Sequence, residues 1–305
     1  MSMGPDRGHS SSTRRARTRL ACTIVLLLAV GLPHAQEKPL PDLESLLQGL
    51  RKTLHSDRVL LSQYTYVQKN TEKRLDKSGR VTKTEVEVFE MYPSLEEDLS
   101  YARLISKNGK PVDPEELEKK DREQQKKVLD RVRKTEQATA DEKAKRLAKV
   151  AKERREEDES IDEAFALYAI SMTGRDVVDG HDAIVLEFRA RPDFKVKTDA
   201  GKFLKKLKGR AWIDERDREL IRIEVDLVDS ISIGLGLLAK LSPGAHATFQ
   251  RRLVNNEIWL PAEARFTGSA RLLLLKGLRM DGAIQYSDYK KYSVGTDTSF
   301  SLPKP

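Results

Sequence analysis

Between Gly209 and Tyr292 apolar and polar residues alternate over runs that only β-strands accommodate. In Leu220–Val228 the apolar positions are Ile221, Ile223, Val225 and Leu227, and Arg222, Glu224 and Asp226 stand between them. Successive side chains on a strand point to opposite faces, so this strand has one apolar face and one wet face. Gly209–Asp214 answers it across the charged turn Glu215–Glu219. Asn255-Asn256, whose residues tolerate positive φ, marks a second hairpin. The strand from Ile258 to about Leu275 carries Ala262, Ala264, Phe266, Gly268, Ala270, Leu272 and Leu274 against Glu263, Arg265, Thr267, Ser269 and Arg271. A last strand, Leu278–Tyr292, puts Leu278, Met280, Gly282, Ile284 and Tyr286 on one face. Four long half-wet strands in series require an antiparallel sheet and something to cover its apolar face.

Several residues on those apolar faces are small: Ala262, Ala264, Gly268, Ala270 and Gly282. Two outcomes fit. A curved sheet so lined leaves its interior unfilled and able to hold a ligand, or a helix packs close and uses the space. In the first case the wall consists of Ile221, Ile223, Val225 and Leu227, then Ala264, Phe266 and Ala270, then Leu278, Met280, Ile284 and Tyr286. A covering helix is at hand in Pro41–Leu60, where Leu43, Leu46, Leu47, Leu50 and Leu54 form one stripe.

The remaining strands read as a meander. Tyr64–Lys69 and Arg80–Tyr92 flank the turn Asp76–Gly79, and Leu99–Lys107 ends at Asn108-Gly109. Phe165–Met172 is expected to be a strand ending at Thr173-Gly174. Asp179-Gly180 turns into a half-buried strand with Ile184, Leu186, Phe188 and Ala190. Between the two groups lies a charged arm. Asp113 can cap a helix with Pro114 at its first position, and Glu116 has capping-box spacing. Thr139–Glu142 repeats the signature, so two helices are expected to about Ser160, broken near Gln137–Asp141. Their apolar stripe is thin (Leu117, Val128, Leu129, Val132; then Leu147, Ala148, Val150, Ala151), which suits a solvated insertion or a protein-interaction arm.

Two short segments stand apart. Ala200–Lys208 reads as a cationic helix with Phe203, Leu204 and Leu207, suited to an anionic membrane surface or to a solvated connector tucked on the sheet. Ser232–Pro243 lacks alternation; its Leu235, Leu237 and Leu238, set among glycines, read as a buried loop or as a flap over a cavity mouth, with Phe203 and Leu204 as further lid residues.

Residues 1–35 have the plan of an export leader: Arg14, Arg15, Arg17 and Arg19, then the apolar run Leu20–Leu32, then Pro33-His34-Ala35. The run is short of the ~20 residues that cross a bilayer. The net charge of +8 falls to +4 without this segment, and export further disfavours nucleic acid as a partner. Cys22, the single cysteine, lies within it, so the exported chain has neither disulfides nor thiol chemistry. His55, His181 and His246 lack metal-ligand spacing and read as surface residues. No nucleophile elbow, phosphate loop or zinc-protease motif occurs, so no catalytic residue, metal or cofactor is expected. Trp212 and Trp259, beside strand turns, suit core or rim packing, with ligand contact as the alternative.

Gly209-Arg210-Ala211-Trp212-Ile213-Asp214 with Leu220-Ile221-Arg222-Ile223, then Glu257-Ile258-Trp259-Leu260-Pro261 and Tyr286-Ser287-Asp288-Tyr289-Lys290, resemble strand phrases of the LolA/LolB-like superfamily. This group takes in outer-membrane lipoprotein-sorting proteins and RseB/MucB-type regulators. The resemblance spans Pro41–Val294 without the charged arm. It implies an α+β fold: a strongly curved antiparallel half-barrel with helices on its concave side and a hydrophobic cavity for acyl chains. The expected plan is a leader (1–35) and one domain (36–305) interrupted by the helical insertion 113–160. The expected function is that of a periplasmic, non-enzymatic carrier of lipid or lipoprotein acyl chains, with peripheral membrane contact. The alternatives are a periplasmic sensor that engages a membrane-protein partner through 113–160, and a structural envelope protein with a filled core.

Overall fold

The computed structural model describes residues 38–54, 61–94, 99–233, 239–272 and 278–291. The chain from Leu40 onward forms one compact unit. In order it contains α1 (Leu43–Leu54), β1 (Tyr64–Leu75), β2 (Val81–Tyr92), β3 (Tyr101–Lys107), β4 (Lys110–Pro111), α2 (Pro114–Glu136), α3 (Ala140–Leu167), β5 (Tyr168–Val178), β6 (His181–Ala190), α4 (Asp199–Leu204), β7 (Leu207–Asp214), β8 (Leu220–Leu227), β9 (Ile231–Ile233), β10 (Ala239–Leu241), β11 (His246–Val254), β12 (Ile258–Leu272) and β13 (Leu278–Lys291).

The strands form one antiparallel sheet in the order β4-β3-β2-β1-β13-β12-β11-β8-β7-β6-β5, with the β9–β10 ribbon attached to β12. The sheet is not closed, and β4 and β5 are its two edges. It coils strongly. Four ladder steps separate β6 from β12, about 19 Å in a flat sheet, yet the His181 and Trp259 rings stand 4.7 Å apart. The Gln250 amide of β11 likewise donates to Asp179 in the β5–β6 turn at 2.7 Å.

Local chemistry explains the turns. Asn108-Gly109, Asp179-Gly180 and Asn255-Asn256 each take positive φ at both residues, the geometry that matches the twist of flanking strands. The β1–β2 turn closes on Asp76, whose carboxylate accepts from the Ser78 and Arg80 amides and the Ser78 hydroxyl. Those donors, led by the hydroxyl, lower its pKa to about 2.

α1 lays its leucine stripe on the sheet. Leu46 and Leu50 pack with Ile184, Leu186, Ala211 and Ile213, which fills this half. A second cluster, on Val185, Trp212, Ile221 and Trp259, closes the coiled end.

Five expectations need correction. The second arm helix does not stop near Ser160. It runs to Leu167 because Leu167 is buried and Phe165 packs against the α1 cluster, so β5 starts at Tyr168 rather than Phe165. Gly174 does not end that strand; the register shift between Met172 and Gly174 is absorbed as an irregularity and pairing continues to Val178. The cationic helix is only Asp199–Leu204, and Leu207 already belongs to β7. Ser232–Pro243 is not wholly irregular: Ile231–Ile233 and Ala239–Leu241 pair, and Leu241 pairs with Ala270 of β12. Leu235, Leu237 and Leu238 lie outside the described residues, as do the expected leader and His55. Finally, strict alternation in β8 breaks at a register shift opposite Trp212/Ile213. Ile223 stays with the α1 cluster while Ile221 turns to the Trp212 cluster.

Candidate functional site

The charged arm connects the sheet's two edges. α2 leaves two residues after β4, and α3 runs without a gap into β5. Asp113 caps α2 through the Glu115 amide, whereas Glu116 pairs with Lys120 instead of closing a box. The reciprocal box forms at Thr139 and Glu142. At 1.5 Å per residue α3 is about 42 Å long, enough to cross the sheet. Both ends of the arm are held. Asp121 of α2 accepts from Tyr101 (2.8 Å) and Arg103 (3.0 Å), and Gln124 donates to the Leu99 carbonyl at 2.9 Å. At the far end of α3, Asp162 pairs with Arg51 of α1. The buried Glu163 carboxylate accepts from the Lys197 and Thr198 amides and the Thr198 hydroxyl.

Between these anchors α3 stands off the sheet, and the gap is a groove of about 1420 Å³. Its floor includes Leu54, Leu61, Leu220, Phe249, Leu260 and Pro261. Its roof is the α3 face on which Lys143, Leu147, Val150, Arg154 and Glu157 recur at three- and four-residue spacing. Leu147 is 71% exposed and Val150 41% exposed, although both look into the groove. Apolar side chains on a helix otherwise this polar are not there to hold the helix down.

The floor is rigid. Arg251, 5% exposed, donates to the Glu219 carboxylate (3.1 Å), the Leu220 carbonyl (3.1 Å) and the Trp259 carbonyl, and so ties β8, β11 and β12 together. Tyr289 donates to the Pro261 carbonyl at 2.8 Å and packs with Tyr64 and Tyr66. Burial pushes the Tyr66 hydroxyl up to about 12 and raises Tyr286 and Tyr289 as well, so this aromatic end stays neutral.

The expected wall residues lie beside the groove rather than in it. Ala264 pairs with Phe249 of the floor on one side and Ile284 on the other. Phe266, Met280, Ala270 and Tyr286 continue that half-buried region, as Ile223 and Val225 do on β8. Leu278 pairs with Ala270. Ile221 and Leu227 are core residues, the latter packed with Ile231 and Ala245. The small residues leave no void at Gly268: a Cβ there would meet Phe266 and Ala245 within 3 Å. Of the lid candidates, Phe203 is exposed, and the Leu204 carbonyl accepts from Tyr168 at 2.7 Å, so α4 is a docked connector. Both tryptophans are buried. Trp212 lies between Arg210 and Arg222 and donates to Asp176 at 2.9 Å, while Trp259 borders the groove. His181 is not a surface residue: it is half-buried against Trp259. His246 contacts Asp226 at 2.8 Å. Sequence reasoning missed Leu61, Phe249 and Pro261. Arg251 masks Phe249, because it occupies a position where the alternation of β11 calls for an apolar side chain.

Among the described residues no cluster of three or more His, Cys, Asp or Glu could hold a metal, and no helix is long and apolar enough to cross a membrane. No family model matches the chain, and no curated protein matches it. Solved structures do. One is an outer membrane lipoprotein-sorting protein domain of Vibrio parahaemolyticus, 10% identical, aligned over 83% of this chain and 93% of that one with a TM-score of 0.29. A LolA superfamily protein of Nitrosomonas europaea is 10% identical over 84% and 96% of the two chains, TM-score 0.27. The Pseudomonas aeruginosa MucA/MucB complex contributes a third, 8% identical over 82% and 99%, TM-score 0.21. These similarities run over most of each chain at 10% identity or less.

Proposed function

We propose that this protein is a non-enzymatic binder of long acyl chains, exported to the periplasm, which carries lipid or the lipid-modified end of a lipoprotein in the groove under α3. The single observation behind this reading is the groove itself. Pockets for drug-sized ligands run from about 300 to 1,000 Å³; this one, at about 1420 Å³, is larger, elongated along a helix and floored by aliphatic and aromatic side chains. Each buried methylene contributes ~0.8 kcal/mol, so an extended chain binds without polar recognition of its tail. Native mass spectrometry of the purified protein tests the reading. Co-purifying lipid, or uptake of an added long-chain amphiphile, is the expected result, and a bare mass that takes up no amphiphile refutes it.

A second reading, a sensor that contacts a membrane-protein partner through the arm, draws on Leu129, which α2 exposes by 57% among charged neighbours. Removing the whole arm cannot separate the two readings, because α3 is a wall of the groove. Leu129→Glu can: the sensor loses its partner and keeps its lipid, whereas the carrier loses nothing.

A further inference from the structure

The groove's charges are not balanced by one another. Four carboxylates border it, and each is already engaged. Asp162 pairs with Arg51, Glu153 with Lys149 at 3.7 Å, and Glu157 and Asp158 have partners of their own. Of the five cations, Arg51 is taken by Asp162, Arg146 donates to Thr135, and Arg251 is locked into the floor. The other two, Lys143 and Arg154, have no side-chain hydrogen bond or ion pair among the described residues. They flank the two exposed apolar residues of the roof, with Leu147 and Val150 between them on one helical stripe. Eleven residues of helix put the pair about 16 Å apart.

We infer that the groove takes an anionic amphiphile, with a carboxylate or phosphate head at Lys143 or Arg154 and the tail along Leu147, Val150, Phe249 and Leu54. This rests on the acyl-chain reading above and adds the ligand's charge and the two positions open to its head. A neutral amphiphile would fill the same apolar floor and make no use of either cation. An anionic head supplies the missing charge and gains charge-assisted hydrogen bonds. Arg154 can meet either head with a two-pronged guanidinium contact, and Lys143 acts as a point charge.

Binding of palmitate, of lysophosphatidylglycerol and of neutral monopalmitoylglycerol to the full chain, measured calorimetrically, tests this. Both anionic ligands are expected to bind at least about tenfold more tightly than the neutral one, the size of one charge-assisted hydrogen bond. Lys143→Gln with Arg154→Gln should abolish that preference, so that within the variant the two anionic ligands bind no more tightly than monopalmitoylglycerol; both side chains are exposed, so the variant keeps its fold. A preference for palmitate alone, or for the lysophospholipid alone, identifies the head as carboxylate or phosphate. Acetate and inorganic phosphate, heads without tails, should not displace palmitate. Equal binding of charged and neutral ligands, survival of the preference in the double variant, or displacement by the free anions overturns the inference and leaves the acyl groove standing. Failure of all three amphiphiles to bind overturns the groove as well.

Discussion

Two helices face this sheet, and they meet it in opposite ways. α1 buries Leu46 and Leu50 in a cluster with β6 and β7, whereas α3 carries Leu147 and Val150 over the floor of β8, β11 and β12 without closing on it. The difference follows from the stripes. Five leucines within twelve residues give α1 an apolar face wide enough to pack. On its groove face α3 offers only Leu147 and Val150 between Lys143 and Arg154, and closing the gap would desolvate both cations without partners. One half of the molecule is therefore a core, and the other is a core with one layer left out.

That contrast can be broken or sharpened by substitution. The largest effect is expected at Arg251→Ala, which takes a charge partner from Glu219 and a donor from two carbonyls beneath the floor; losing one partner of a buried pair costs about 3–5 kcal/mol. Urea unfolding measures it, and a cost below 1 kcal/mol would mean that Arg251 is not what locks the floor. Leu46→Ala should follow, at about 2–5 kcal/mol, the cost of a cavity in a packed core. Glu163→Gln ranks next at about 1–3 kcal/mol, since Glu163 pins the end of α3 to Lys197 and Thr198. Burial alone would raise the pKa of that carboxyl, but the Thr198 hydroxyl and the two amides outweigh it and hold it below 4.5. Its contribution is hence fully present above pH 4.5 and lost as the pH falls through the lowered value. The gap in stability between wild type and Glu163→Gln should accordingly narrow in acid, and a gap that widens there contradicts the assignment. Smallest of all is Leu147→Ala, within about 0.5 kcal/mol for an exposed site, accompanied by weaker acyl binding. A loss of stability like that of Leu46→Ala would show that α3 packs as α1 does.

The parts legible in the sequence are those set by neighbours along the chain. Asp113, Pro114 and the Thr139–Glu142 box marked both arm helices, and the Asn and Gly turns marked the hairpins, because caps and turns act over three or four residues. What escaped depends on residues far apart. The register shift that sends Ile221 and Ile223 to different clusters arises between β7 and β8. Trp259 reaches His181 only because the sheet coils. Arg251 reads as an interruption of β11 until Glu219 and the Trp259 carbonyl are beside it. The small residues point to a wall along β8, β12 and β13; Phe266 fills the space at Gly268, and the groove described above lies under the arm. Read alone, the arm looks like a solvated insertion because its partner surface is distant in sequence.

Joining the two edge strands by one helical hairpin has a mechanical consequence. The curvature of the sheet and the reach of the arm are a single variable, since β4 and β5 cannot separate further than α2 and α3 extend. Whatever enters the groove and lifts α3 also pulls on Asp121 at one margin and Glu163 at the other, so occupancy is transmitted to both rims of the sheet through a strut about 42 Å long.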